Sequence, residues 1–94
     1  QVADQPEKLK QRMAILLELG RFDEIAAMED AMHRVGLMAS DEIRYAIAYA
    51  YFKIGDFAGA ERHLKRLQGG EAFRKATAVR KAMEDCRDAR WKCL

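Results

Sequence analysis

Cys86 and Cys93 are the only cysteines in the chain, and their seven-residue spacing allows two chemistries. In an unbroken helix they share a face but stand ~10.5 Å apart along the axis, whereas a disulfide needs Cα atoms within about 7 Å. A bond between them therefore requires the helix to end around Asp88 to Arg90 and "RWKCL" to fold back. Such a clasp would place the protein in an oxidising compartment, periplasmic or secreted. In the other reading Cys86 continues an apolar helical stripe as a small buried hydrophobe, Cys93 is a terminal thiol, and the protein is cytoplasmic.

The remaining reactive side chains do not assemble into a catalytic set. His33 and His63 have no ligand spacing relative to a cysteine, so no metal site is expected. Without CxxC or CxxCH, thioredoxin-like and haem roles lack their motif. Neither histidine has a Ser or Cys nucleophile nearby in sequence, and Ser40 reads as a helix cap. Glu29-Asp30 and Glu84-Asp85 are adjacent pairs that point about 100° apart on a helix, an arrangement of solvated charges. "QGGEAF" has two glycines but neither a preceding strand nor a following Lys-Ser/Thr, so it is no phosphate loop. The sequence predicts no enzyme, no catalytic residue and no cofactor.

Tyr45, Tyr49 and Phe52 are different. They recur at i, i+4 and i+7, one side of a helix, while Ile43, Ile47, Tyr51 and Ile54 already supply that helix with a core stripe. A helix apolar on two sides is either buried on both or presents a binding surface. Aromatic side chains dominate interface energetics because each supplies a large, rigid contact area. The row is therefore either the seat of another helix of this chain or the place where a partner, or a second copy, docks.

These residues sit on a predicted all-α framework. Pro6 suits a helix's first turn, and Leu9, Met13 and Leu16 continue a helix to Leu19, with Gly20 as its left-handed cap. A second helix is expected over Phe22 to Val35, from Ile25, Met28, Met32 and Val35, closed by Gly36. Ser40 followed by Asp41 and Glu42 caps a third helix, which Gly55 ends. A fourth runs from Phe57 to about Leu67. After Gly69-Gly70, Phe73, Ala76, Val79, Met83 and Cys86 mark a fifth, from about Ala72 to at least Asp88. No alternating strand pattern occurs.

The chain of 94 residues is long enough for one domain with one core. No apolar run approaches the ~20 residues that span a bilayer, so no transmembrane segment is expected. The start at Gln1 fits either a cut chain or a processed mature form, and "QVADQPEK" has no signal peptide's apolar core. Residues 1–60 carry seven Lys/Arg against ten Asp/Glu, whereas residues 61–94 carry ten against five. On a helix with interspersed acids such a basic excess reads as a solvated face. Nucleic acid is not the expected partner, since stacking and zinc-finger motifs are missing.

Gly20 and Gly55 lie 35 residues apart, as do Phe22 and Phe57, and Ile25 and Ala60. A helical hairpin is thus used twice, and neither copy can bury its stripe alone. "YAYFKIGDFAGAERHLKRL" resembles the tetratricopeptide repeat (TPR) pattern "xAYYKxGDYxEAxxxYxKAL". Ala48, Tyr51, Ala60 and Leu64 match its packing positions, and Leu67 departs from it. The first hairpin departs further, at Arg12, Met13 and Ile25, and no repeat has its closing Pro. The resemblance covers roughly residues 7–68 and implies two TPR-like hairpins stacked right-handed, residues 6–36 and 40–68. Residues 71–90 would form a capping helix and 91–94 a tail.

What the resemblance implies for function is a groove for a protein or peptide ligand. The family's groove positions fall here on Lys10, Ala14, Leu17 and Glu18 of the first helix and on Tyr45, Tyr49, Phe52 and Lys53 of the third. Ala14 and Ala46 stand where chaperone-binding members need Asn to grip a carboxylate, so an apolar mode of binding is expected. An adaptor or chaperone-like module is the leading expectation. The alternative is a structural subunit of a larger helical assembly, a homodimer included, that self-associates through its aromatic face.

Overall fold

The computed structural model describes residues 5–88, and every regular element among them is helical. The order is α1 (Gln5–Leu19), α2 (Phe22–Ala26), α3 (Glu29–Arg34), a 3-10 turn (Leu37–Ala39), α4 (Asp41–Lys53), α5 (Phe57–Leu64) and α6 (Gly70–Asp88).

The two Gly turns are built alike. Gly20 and Gly55 adopt φ of 70° and 89°, a region that a side chain would strain. After α1, the Arg21 N–H reaches Leu16 O at 2.9 Å and the Gly20 N–H reaches Leu17 O at 3.2 Å. After α4, Asp56 N–H to Tyr51 O and Gly55 N–H to Phe52 O repeat the pair at 2.9 and 3.1 Å. Both are the double-bonded glycine cap that satisfies a helix's last carbonyls. The helices that follow start differently, since Asp56 Oδ1 accepts the Gly59 N–H at 2.9 Å while Arg21 offers no side-chain cap. Ser40 Oγ caps α4 as expected, accepting from Ile43 N–H at 3.4 Å.

Three boundaries differ from the sequence expectation. The single helix expected over Phe22 to Val35 is two, because Met28 N–H bonds to Ile25 O, three residues back, instead of four. That tightened turn leaves Ile25, Met28 and Met32 all buried. Helix α5 stops at Leu64, with Arg66 and Leu67 also bonding three residues back, yet Leu67 still packs on the core. Helix α6 starts at Gly70, earlier than Ala72, because Asp41 reaches across from α4. Its Oδ2 accepts the Gly69 N–H at 2.9 Å and the Gln68 N–H at 3.3 Å. The N–H groups of Gln68 and Gly69, which lead into α6, are satisfied by a residue far away in sequence, which no local pattern announces.

Helix α4 is the axis of the packing, in contact with α2, α5 and α6. On one side Ile47 and Ala50 join Met13, Leu16, Ile25, Met32 and Met38. On the other, Ala48 joins Ala60, Leu64, Ala76, Val79 and Met83, and Tyr51 touches both clusters. This is why α4 is apolar on two sides. All five methionines are buried, flexible side chains that fill irregular gaps.

Gly59 marks the closest approach of α4 and α5. A Cβ there would lie 2.9 Å from the Tyr51 ring and 2.9 Å from Asp56 Oδ2, the cap of its own helix. Gly59→Ala is therefore expected to lower stability by about 1–3 kcal/mol through overpacking, despite alanine's higher helix propensity. Urea denaturation checks this, and a stabilised variant would show that the crossing is looser than described.

Candidate functional site

The predicted partner-binding residues of α4 form part of a longer aromatic ladder. Tyr45 and Tyr49 rings lie 6.2 Å apart, Tyr49 and Phe52 6.0 Å, and Phe52 and Phe57 5.8 Å. Phe22, at the start of α2, meets Tyr49 edge to face at 5.7 Å, a favoured geometry for aromatic pairs. Lys53 Nζ sits 5.9 Å from both the Phe22 and Tyr49 rings, and Lys75 Nζ of α6 sits 5.4 Å from Tyr45. Such cations are held by the negative faces of the rings. Tyr45, Tyr49 and Phe52 pack against the cluster that holds Ala76, Val79 and Met83 of α6, and each remains half-buried. The row is thus both a seat for α6 and an accessible surface. At its Tyr45 end it opens on a cleft of about 320 Å3 between the starts of α4 and α6, with Glu42, Glu71 and Lys75 on the rim.

On α1, Lys10 and Glu18 are exposed and Leu17 is 38% exposed. Lys10 pairs at 3.9 Å with Glu7 of its own helix. Of the predicted set, the structure joins Tyr45, Tyr49, Phe52 and Lys53 through ring contacts and adds Phe22. Phe22, at a helix start and outside the α4 row, gave no sequence signal for that role.

A second group of polar side chains went unread in the sequence. Glu29, at the start of α3, accepts from the Tyr51 hydroxyl of α4 at 2.5 Å and from Arg62 of α5 through both terminal nitrogens, at 2.9 and 3.3 Å. Its Oε2 also lies 3.2 Å from Nε2 of His63, a side chain only 1% exposed. On the far side of that ring, Arg44 Nη1 donates to His63 Nδ1 at 3.1 Å. A guanidinium has no acceptor, so Nδ1 must accept and the ring proton sits on Nε2, facing the carboxylate. Tyr51 stacks on the imidazole with centroids 5.7 Å apart. The sequence expectation of a solvated Glu29-Asp30 pair therefore fails for Glu29 and fits Asp30, which is exposed.

The electrostatics follow from this packing. The Arg62 fork holds the Glu29 carboxyl down to about 2, against the opposing pull of its partial burial, with Tyr51 and His63 adding to the fork. Burial pushes His63 below the usual histidine value; Glu29 opposes that, while the nearby Arg62 and Arg44 charges reinforce it. His63 is thus held neutral between an anion and two cations.

No family model, curated protein or solved structure matches this chain. Its surfaces must therefore be read from their own chemistry. The Glu29 cluster has its polar groups turned on one another, which suits a structural clasp. The aromatic ladder has open ring surface and cations beside it, which suits a ligand with apolar side chains and a few acids. Among the described residues no group of three or more His, Cys, Asp or Glu could hold a metal ion, and no helix is long and apolar enough to cross a membrane. Cys86 lies half-buried in the last turn of α6. Cys93, and with it the Cys86–Cys93 clasp and the 91–94 tail, lies outside the described residues.

Proposed function

We propose that this protein is a non-enzymatic interaction module, adaptor or chaperone-like, that holds a peptide or helix of a partner protein against α1 and α4. In this reading α1 with α2 and α3, and α4 with α5, are two TPR-like hairpins stacked right-handed and capped by α6. The observation that carries the binding role is the half-open ladder of Phe22, Tyr49 and Tyr45 beneath the exposed ammonium groups of Lys53 and Lys75. The repeated Gly20 and Gly55 turns support the architecture.

A photo-crosslinking residue at Leu17 in the native cell tests the role. The expected product is a discrete adduct with a second protein, absent when the probe stands at Lys81, whose side chain is 77% exposed. Lys53→Glu should weaken recovery of that adduct about tenfold, a loss typical of one interfacial cation, while changing stability by less than about 1 kcal/mol. Wild-type recovery with Lys53→Glu would remove the ladder from the site.

The second reading, a subunit of a larger helical assembly, is favoured by a different face. Ile15 and Leu19, one turn apart on α1, are 59% and 62% exposed. Adducts of the chain with itself, and a mass that rises with concentration, would favour this reading over the first.

A further inference from the structure

Arg44, Lys65 and Arg66 border a surface cleft of about 400 Å3 between the start of α4 and the end of α5, with Gln68 on its rim and Met38 and Leu67 in its wall. Elsewhere Lys10, Arg21, Arg62, Lys75, Arg80 and Lys81 each have a carboxylate within ion-pair distance among the described residues, and Lys8, Arg12, Arg34, Lys53, Arg74 and Arg87 do not, so what sets the three apart is that they border one cleft. Among the described residues these three cations form no ion pair. Asp41 also lines the cleft, but its carboxylate accepts the Gln68 and Gly69 N–H groups and is committed to capping α6. The local charge is a surplus of positive groups facing one another.

Arg44 is fixed in place. It is half-buried, and its Nη1 donates to His63 Nδ1 at 3.1 Å, an anchor made from within the core. Burial lowers its proton affinity, and the Arg66 charge lowers it further, as expected for like charges held close, with the Asp41 and Glu29 carboxylates opposing without reversing the shift. An anion between them would relieve that repulsion and accept several charge-assisted hydrogen bonds, and planar guanidinium groups match tetrahedral oxyanions well.

We propose that this cleft is a phosphate-binding site, in which Arg44 and Arg66 grip the oxygens of a phosphate group and Lys65 adds charge from the rim. A doubly charged phosphate matches three cations beside one committed carboxylate. The site is separate from the aromatic ladder and stands whether or not that surface binds a partner. The phosphate belongs either to a small soluble ester or to a lipid headgroup, two sources with the same recognition chemistry.

Calorimetric titration of the whole chain with inorganic phosphate, at constant ionic strength, tests the proposal alongside sedimentation with phosphatidylcholine vesicles with and without phosphatidic acid. Saturable phosphate binding, weakened about tenfold by Arg66→Gln and in the same direction by Lys65→Gln, is the expected result, with Lys81→Gln as an unaffected control. Binding only to vesicles that contain phosphatidic acid, lost in Arg66→Gln and kept in Lys81→Gln, assigns the site to a lipid headgroup. No binding in either arm, or equal weakening by Lys81→Gln and Arg66→Gln, overturns it. Arg66 and Lys65 are exposed, so their variants keep the fold.

Discussion

Glu29→Ala is expected to lower the free energy of unfolding by about 3 kcal/mol, the lower end of the range for breaking a buried ion pair. The side chain is 13% exposed and is the shared acceptor for Tyr51 and Arg62, with His63 Nε2 3.2 Å from it but outside hydrogen-bond geometry. Removing it takes away the only carboxylate beside the buried His63 Nε2 proton, 3.2 Å away on a residue 1% exposed. Arg62, 52% exposed, can turn to water, which keeps the loss from being larger. Glu29→Gln retains an acceptor for Tyr51 and His63 but gives up the charge, so it should cost about 1–2 kcal/mol. Against a typical domain stability of about 5–15 kcal/mol, the alanine variant loses a large share. Chemical denaturation of the two variants decides it. Equal small losses would mean that the cluster is a surface feature held mostly by Arg62, and a larger loss for Gln than for Ala would contradict the assigned proton on Nε2.

The same cluster shows what could and could not be read in the sequence. Element existence was legible wherever one local rule acted alone. Gly20, Gly36 and Gly55 do adopt left-handed φ, Ser40 does cap α4, and the two-sided apolar pattern of α4 corresponds to two clusters, except that Ile54, expected in the core stripe, lies past the helix end and is 46% exposed. What escaped were the pairings between distant residues. Asp41 looked like a first-turn acid and is also the cap of α6. His63 and Glu29, 34 residues apart, carried no spacing signal, because the contact is made by α3 and α5 meeting beside α4. The break at Met28 was invisible for a related reason, since Ile25, Met28 and Met32 keep helical spacing whether or not one turn tightens.

For the candidate surface, the sequence located the aromatic row but left two fates open, and the structure shows the row packed against the α6 cluster with part of each ring still exposed. Lying against α6 while retaining open ring surface, Tyr45, Tyr49 and Phe52 are ordered before any ligand arrives. If the row binds a partner as proposed, side chains ordered in advance would lose less entropy on association. Phe22 and Lys53 extend that ordering to the start of α2, so a ligand contacting the ladder would touch both α2 and α4.

Stability should fall in two stages as the solution is acidified. His63 is held below the usual histidine value of 6.5, so above that pH it is neutral both folded and unfolded and contributes no slope. Below it the unfolded chain takes up a proton that the folded chain refuses, and stability declines. The second stage belongs chiefly to Glu29, whose carboxyl is lowered from 4.5 to about 2 in the fold, with Glu61, lowered by its Arg80 partner, adding in the same direction. The Glu29 contribution is complete above pH 4.5 and is lost as pH falls toward about 2; a shift of this size corresponds to roughly 3 kcal/mol. The two stages are separable by mutation. His63→Gln can accept from Arg44 through its amide oxygen and donate to Glu29 through its amide nitrogen, yet it cannot titrate. That variant should lose the decline that begins near pH 6.5 and keep the one below 4.5, whereas Glu29→Gln should shrink the lower stage to the part that Glu61 contributes. Urea midpoints measured from neutral pH down to about 3 give both slopes directly. A wild-type profile flat from neutrality to pH 5, or one unchanged by His63→Gln, would mean that the imidazole accepts its proton inside the fold as readily as outside it.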